Sequence, residues 1–235
     1  MNKNNKLDTY KKAKEFFQKN RIIAEEKYKD RVEKFEENYN NLIRKITGLS
    51  QKLHEQKNIS ISILLRALKY IYIVFDLVLS GHVHESSVIL RNVIELRMVA
   101  LDIAFNDKGY KIWKACWQER TASIKNQRVN SSAFNRDIYK LEGVIKRIKF
   151  NKTLLDYINR RDILKAWGVL SEYWCHENLY NIVRRIDWID NKNGTKTIKA
   201  YLGYSALNSG LGEYIDDILK HLKELNDDFE FIVNG

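Results

Sequence analysis

YKDRVEKFEENYNNLIRKITGLSQKL, residues 28–53, decides the class of fold. Tyr28, Val32, Phe35, Tyr39, Leu42, Ile46, Leu49 and Leu53 follow one another at steps of 4, 3, 4, 3, 4, 3 and 4. That alternation returns every second apolar residue to one side of an α-helix and builds a heptad seam. Joined to the amphipathic run from Leu7, the seam predicts one helix of about 50 residues, roughly 75 Å long at 1.5 Å per residue. Such a helix outruns a compact bundle, so it either projects and packs on another chain or finds an antiparallel partner within its own. Aromatic seam residues disfavour a tight parallel dimer.

Outward from the seam the chain continues to read as helices. Proline is absent from all 235 residues; because proline breaks helix interiors, long uninterrupted helices are expected. Asn58 or Ser60 offers an N-cap for a helix over about 60–79. A third helix, entered near His84 or Ser86, runs to Phe105. The segment AFNDKGY breaks the chain before a helix over 108–128. VNSSAFN is a loop or a fresh cap. Helical spacing resumes at Asp137–Lys149, Leu154–Tyr157 and Arg161–Cys175, with a further short helix over His176–Arg185. WIDNKNGTKTIKAYLGYS is different: Asn193 and Gly194 between short β-prone segments predict a small β-hairpin near residues 187–200. A last helix covers 207–226. The expected fold is all-α: residues 1–57 form a long N-terminal amphipathic helix and 58–235 a helical bundle domain.

Charge narrows the choice of partner. The net charge is +11, and it is unevenly placed. Residues 1–60 carry +6 and residues 108–165 carry +10, whereas the remainder carries −5. The middle block interleaves its cations with Tyr110, Trp113, Trp117, Tyr139, Phe150 and Tyr157. Cations attract phosphates and aromatic rings stack on bases, so the block suits RNA or another nucleic acid. A solvated basic surface explains the same charge. Within the block, Lys111, Lys114, Arg120, Lys125, Arg128, Lys146, Arg147 and Lys149 are the candidate nucleic-acid contacts.

Other classes are disfavoured. Two cysteines, Cys116 and Cys175, without a secretory leader read as a cytoplasmic chain. The longest apolar run contains Arg66, Lys69 and Asp76, each costly in a bilayer, so no membrane association is expected. There is no P-loop, dinucleotide glycine fingerprint, HExxH or paired CxxC, and neither a cofactor nor a metal is expected. His82 and His84 stand two apart, which does not place two ligands on one helical face.

SGHVHESSVILRNVIELRMVALDIAF, residues 80–105, holds the polar residues of greatest interest. On a helical wheel His84, Ser87, Arg91, Glu95 and Asp102 fall within about 40° of one line, and Arg97 lies on the far side. Arg91 and Glu95 are an i,i+4 pair that either occupies a narrow solvent strip or lines an inward polar pocket. LSEYWCHEN, residues 170–178, brings Ser171, Cys175, His176 and Glu177 together in sequence.

SSVILRNVIEL resembles the Leu-Arg-x-x-x-Glu helix, and LSEYWCHENL the Leu-Ser-x-x-x-x-His segment, of a group of bacterial helical proteins classed as a domain of unknown function. The resemblance spans roughly residues 60–225. More distantly the pattern is similar to HEPN domains, helical bundles that often dimerise and include ribonucleases of toxin and antiviral defence systems. It implies a homodimeric RNA-binding protein that cleaves RNA without metal. His176 would act as acid or base, Arg91 would stabilise the phosphorane, and Glu95 would orient Arg91. The chain departs from the HEPN signature in placing Ser171, not arginine, five residues before His176. The alternative is a non-catalytic scaffold or dimerisation subunit of a larger assembly, joined through the N-terminal helix.

Overall fold

The heptad seam is helical, but in two pieces. The computed structural model describes residues 3–49, 53–125, 141–171, 186–190, 196–200 and 210–235. Helix α1 spans Lys3–Lys27 and α2 spans Lys29–Thr47, with Tyr28 forming the turn between them. The expected single helix of about 50 residues is thus divided, and α2 stops short of Leu49 and Leu53. Half of the seam is covered by the chain's own residues: Tyr28, Phe35, Leu42 and Ile46 are buried, whereas Val32, Tyr39, Leu49 and Leu53 are partly exposed.

The remaining elements are α3 (Glu55–Leu79), α4 (Val83–Phe105), α5 (Asp107–Lys125), α6 (Leu141–Phe150), α7 (Lys152–Asn159), α8 (Ile163–Val169) and α9 (Gly210–Asn234). Among the described residues there are nine helices, and the class is all-α. Strand β1 (Ile186–Asp190) pairs antiparallel with β2 (Lys196–Ala200), Trp188 opposite Ile198. No described helix is long and apolar enough to cross a membrane.

Local chemistry sets the boundaries. Helix α3 begins before both expected caps, and these bond backwards instead: Ser60 Oγ donates to the Gln56 carbonyl and Asn58 Nδ2 to that of Leu53. It ends in a Schellman motif. Gly81 adopts φ 90°, its N–H reaches the Val78 carbonyl at 2.9 Å, and the His82 N–H reaches that of Leu77 at 2.8 Å. Asn106 caps α5 by accepting from the Lys108 N–H at 3.1 Å. Helix α9 continues eight residues past the expected end at 226, because Leu225, Phe229 and Ile232 prolong its apolar stripe and are buried.

The chain forms two compact units. The first comprises Met1–Asn41, Tyr70–Arg91 and Gly168–Leu222. Its core includes Phe35 stacked on Phe75 at 3.8 Å, with Ile71, Val74, Val78, Leu211 and Ile215 buried. Burying a side chain of the size of Phe35 contributes about 1.5–3 kcal/mol. Arg31 makes a bidentate pair with Asp216 at 2.8 and 2.9 Å. Gly212 lets α9 approach closely, since a Cβ there would lie 3.2 Å from both the Tyr28 ring and the Arg31 guanidinium.

The second unit comprises Leu42–Lys69, Asn92–Trp167 and Lys223–Gly235. Leu64, Leu68, Ile94, Met98, Leu101, Ile148, Leu154, Ile158 and Ile232 are buried there. Tyr157 stacks on Phe231 at 3.9 Å, and Phe105 packs on Phe231 at 4.4 Å. Gln56 Nε2 donates to the carbonyl of Ile103 at 2.6 Å, fastening the start of α3 to the end of α4.

Candidate nucleic-acid interface

Helix α6 has an inner and an outer face, and the division runs through its basic residues. At 100° per residue Val144, Arg147 and Ile148 fall within one arc, and all three are buried. Lys146, Lys149 and Phe150 occupy the opposite arc and are exposed, Phe150 to 92%. Lys152, at the first turn of α7, is also exposed. Among the described residues no carboxylate pairs with Lys146, Lys149 or Lys152.

Arg147 differs from its neighbours. Its Nε and Nη2 donate to Asp102 Oδ2 at 2.8 and 2.6 Å, and the side chains retain only 10% and 2% of their exposure. Burial pushes the Asp102 carboxyl above its ordinary range despite the opposing guanidinium. Such a pair fixes α6 on α4, so Arg147, expected among the nucleic-acid contacts, is instead the bolt beneath that surface. Gly109 of α5 makes room for it: a Cβ there would stand 2.7 Å from Asp102 Oδ2.

The joint between α6 and α7 is equally well fixed. Asn151 Oδ1 accepts from the Leu154 N–H at 3.1 Å, capping α7, and its Nδ2 donates to the Phe105 carbonyl at 3.0 Å. Phe150 is the residue immediately before this cap.

The other expected contacts are distributed as follows. Lys111 is exposed on α5. Lys114 is half-buried and held by Glu55 at 3.0 Å, while the Tyr110 hydroxyl donates to the same carboxylate at 2.6 Å. Hydrogen bonds from Tyr110 and then Lys114 keep the Glu55 carboxyl below its ordinary range. Arg120 and Lys125 belong to α5; their side chains, all of Arg128 and all of His176 lie outside the described residues.

Arg91 and Glu95 stand one turn apart on α4 and are both half-buried. Glu95 Oε1 accepts from the Trp167 indole N–H at 3.0 Å. Of their predicted stripe, Ser87 and Asp102 are buried; Ser87 Oγ returns to the Val83 carbonyl.

The second unit also holds a buried ion-pair cluster. Arg97, the residue on the far side of the wheel, is completely buried. Its Nη1 donates to Glu224 Oε2 and its Nε to Asp228 Oδ2, both at 2.6 Å. The Tyr157 hydroxyl donates to Asp228 Oδ1 at 2.9 Å, and Arg161 lies over the Tyr157 ring at 3.8 Å. Burial works against the Arg97 charge, but Asp228 and Glu224 outweigh it and raise its pKa. Burial, with Glu224 nearby, holds the Asp228 carboxyl above its ordinary range against the lowering pull of Arg97 and the Tyr157 hydroxyl. Glu224 and Asp228 are one turn apart on α9, so the i,i+4 acid pair was present in the sequence; ending the helix at 226 hid it.

Among the described residues no group of three or more His, Cys, Asp or Glu side chains is placed to hold a metal. In the first unit a groove of about 380 Å³ runs along α1, lined by Ala13, Lys14, Phe17, Gln18, Arg21 and Ser80. Its Arg21 is countered by Glu25 at 2.8 Å and by Asp76, and its Lys14 is exposed. No protein family, curated protein or solved structure matches the chain.

Proposed function

We propose that this protein engages nucleic acid through the outer face of α6 and the start of α7. One observation carries the reading: Lys146, Lys149 and Lys152 stand exposed on adjoining helices beside an exposed aromatic ring, while the intervening Arg147 is neutralised inside. These lysines make no ion pair among the described residues, and cations that meet phosphates release condensed counterions, which drives binding. Lys111 is also exposed, on α5, and the sequence of residues 108–165 carries a net +10.

The ribonuclease reading is a finer form of this proposal. It adds His176 as the proton-transfer group, Arg91 as the cation at the phosphorane and Glu95 as its orienting partner, with no metal. Its support is the motif resemblance together with the polar, half-buried setting of Arg91 and Glu95 on α4. The scaffold alternative draws on the seam, of which Tyr28 and Phe35 are buried by the chain itself while Val32 and Tyr39 stay partly exposed.

The test is a salt series of fluorescence anisotropy with a labelled single-stranded RNA, on the full chain and on Lys146→Ala/Lys149→Ala. Affinity should fall steeply with salt. The double variant should bind more weakly and lower the log–log slope by about 1.4, at about 0.7 per phosphate contact. An unchanged slope removes this face from the interface. Cleavage in EDTA, lost in both His176→Ala and Arg91→Ala, would establish the enzyme.

A further inference from the structure

Phe150 stands apart from the other exposed large apolar residues of the described chain. Ile22 reaches 64% exposure and Phe16, Leu65, Tyr72, Val88 and Val169 lie between 40% and 50%, whereas Phe150 reaches 92%. Nothing in its backbone setting is loose: α6 ends at this residue, the Asn151 N–H returns to the Ile148 carbonyl at 3.0 Å, and Asn151 caps α7 and grips Phe105. The ring is therefore held in water at a braced joint. A phenylalanine so placed forgoes the gain of burial while its preorganised position lowers the ordering cost of meeting a partner.

The nearby residues indicate the partner's chemistry. Lys149 precedes the ring, Lys146 lies one helical turn before it, and Lys152 follows two residues later. An aromatic face among cations matches a polyanion that also carries flat rings. In a duplex those rings are already stacked on one another, and a protruding side chain meets only edges and backbone. In an unpaired strand their faces are accessible. Resting on the nucleic-acid reading above, we infer that Phe150 is a base-stacking residue that makes this surface select unpaired over duplex nucleic acid.

The experiment measures binding by anisotropy for a single-stranded oligonucleotide and a blunt duplex of equal length, at one low ionic strength. It uses the full chain and its Phe150→Ala, Phe150→Leu and Phe150→Trp variants. The intact protein should prefer the single strand. Phe150→Ala should weaken single-strand binding by about 5- to 150-fold, the range for stacking on one base, and leave duplex binding unchanged. Phe150→Trp should restore the preference and Phe150→Leu should not, because a leucine supplies apolar area without a π-face. Equal losses on both ligands, no loss, or full rescue by leucine overturns the stacking role. So does binding to anionic phosphatidylserine vesicles that depends on Phe150 while oligonucleotide binding does not. Failure of the intact protein to bind either oligonucleotide overturns the underlying nucleic-acid reading instead.

Discussion

Arg97 and Lys149 belong to the same compact unit and carry the same charge, yet their surroundings are opposite. Arg97 is completely enclosed and satisfied by Glu224 and Asp228 from α9, with Tyr157 of α7 closing the far side of the carboxylate. Lys149 faces water beside Phe150. Arg147 shows the transition within one helix, since it shares α6 with Lys149 and follows Asp102 inward. A cation goes inside only where another element delivers a carboxylate, because an unpaired buried charge costs several kcal/mol. The interior pairs define how helices dock, and the cations left outside are those available to a ligand.

Breaking the interior side gives the largest effect. Asp228→Ala leaves Arg97 with Glu224 alone and the buried Arg97 Nε–H and Tyr157 O–H without their acceptor, and should cost about 3–5 kcal/mol in urea unfolding. The comparison sharpens if Arg97, Glu224 and Asp228 are replaced together by apolar residues of similar volume, with Tyr157→Phe. Such replacements are often neutral, so most of the loss should return. A combined variant as unstable as Asp228→Ala alone would mean that packing, and not charge pairing, dominates there.

Gly109→Ala tests the second interior pair more gently. The new methyl would lie 2.7 Å from Asp102 Oδ2 and 3.0 Å from the Asp102 carbonyl oxygen. Overpacking costs about 1–3 kcal/mol, offset by up to about 1 kcal/mol of helix propensity, so a net loss of order 1 kcal/mol is expected. A stabilised variant would show that α5 can move away at little cost. On the exterior side, Lys146→Ala/Lys149→Ala should change stability by less than about 0.5 kcal/mol; a larger loss would make these lysines structural.

The smallest effect is a difference in pH slope. The Asp102 carboxyl is held above its ordinary value of 3.8. A group raised in this way binds its proton more tightly folded than unfolded. Between the ordinary and the raised value it therefore adds stability as pH falls, and the gain levels off below 3.8. Asp102→Asn should remove that contribution, so its unfolding midpoint should gain less than the wild type's on acidification. Parallel profiles would contradict the raised value.

Much of the secondary structure was legible because helical periodicity and cap residues are local. The spans of α3, α4 and α5 lie within a few residues of their expected bounds, and the seam of α1 and α2 was visible from residue types alone. The missed features are those set by partners distant in sequence. The split at Tyr28 carries no proline, and α9 approaches this residue at Gly212. Asn58 and Ser60 have the chemistry of caps but lie within α3. The candidate pair Arg91 and Glu95 was identified from its spacing, and half-burial is consistent with either of its two readings. His176 lies outside the described residues. The polar core of the second unit is not legible in α4 by itself, because the carboxylates that draw Arg97 inward, Glu224 and Asp228, come from α9.

The sequence alone determined an all-α chain, the approximate places of several helices and a strongly basic middle segment, because hydrophobic period, the absence of proline and net charge act over a few residues at a time. The tertiary structure decided which charges are spent internally, sending Arg97 and Arg147 to carboxylates 131 and 45 residues away and leaving Lys146, Lys149 and the ring of Phe150 outside. The physical reason is that the fate of a charge depends on its dielectric surroundings and the nearest counter-charge, both supplied by whichever helix packs against it.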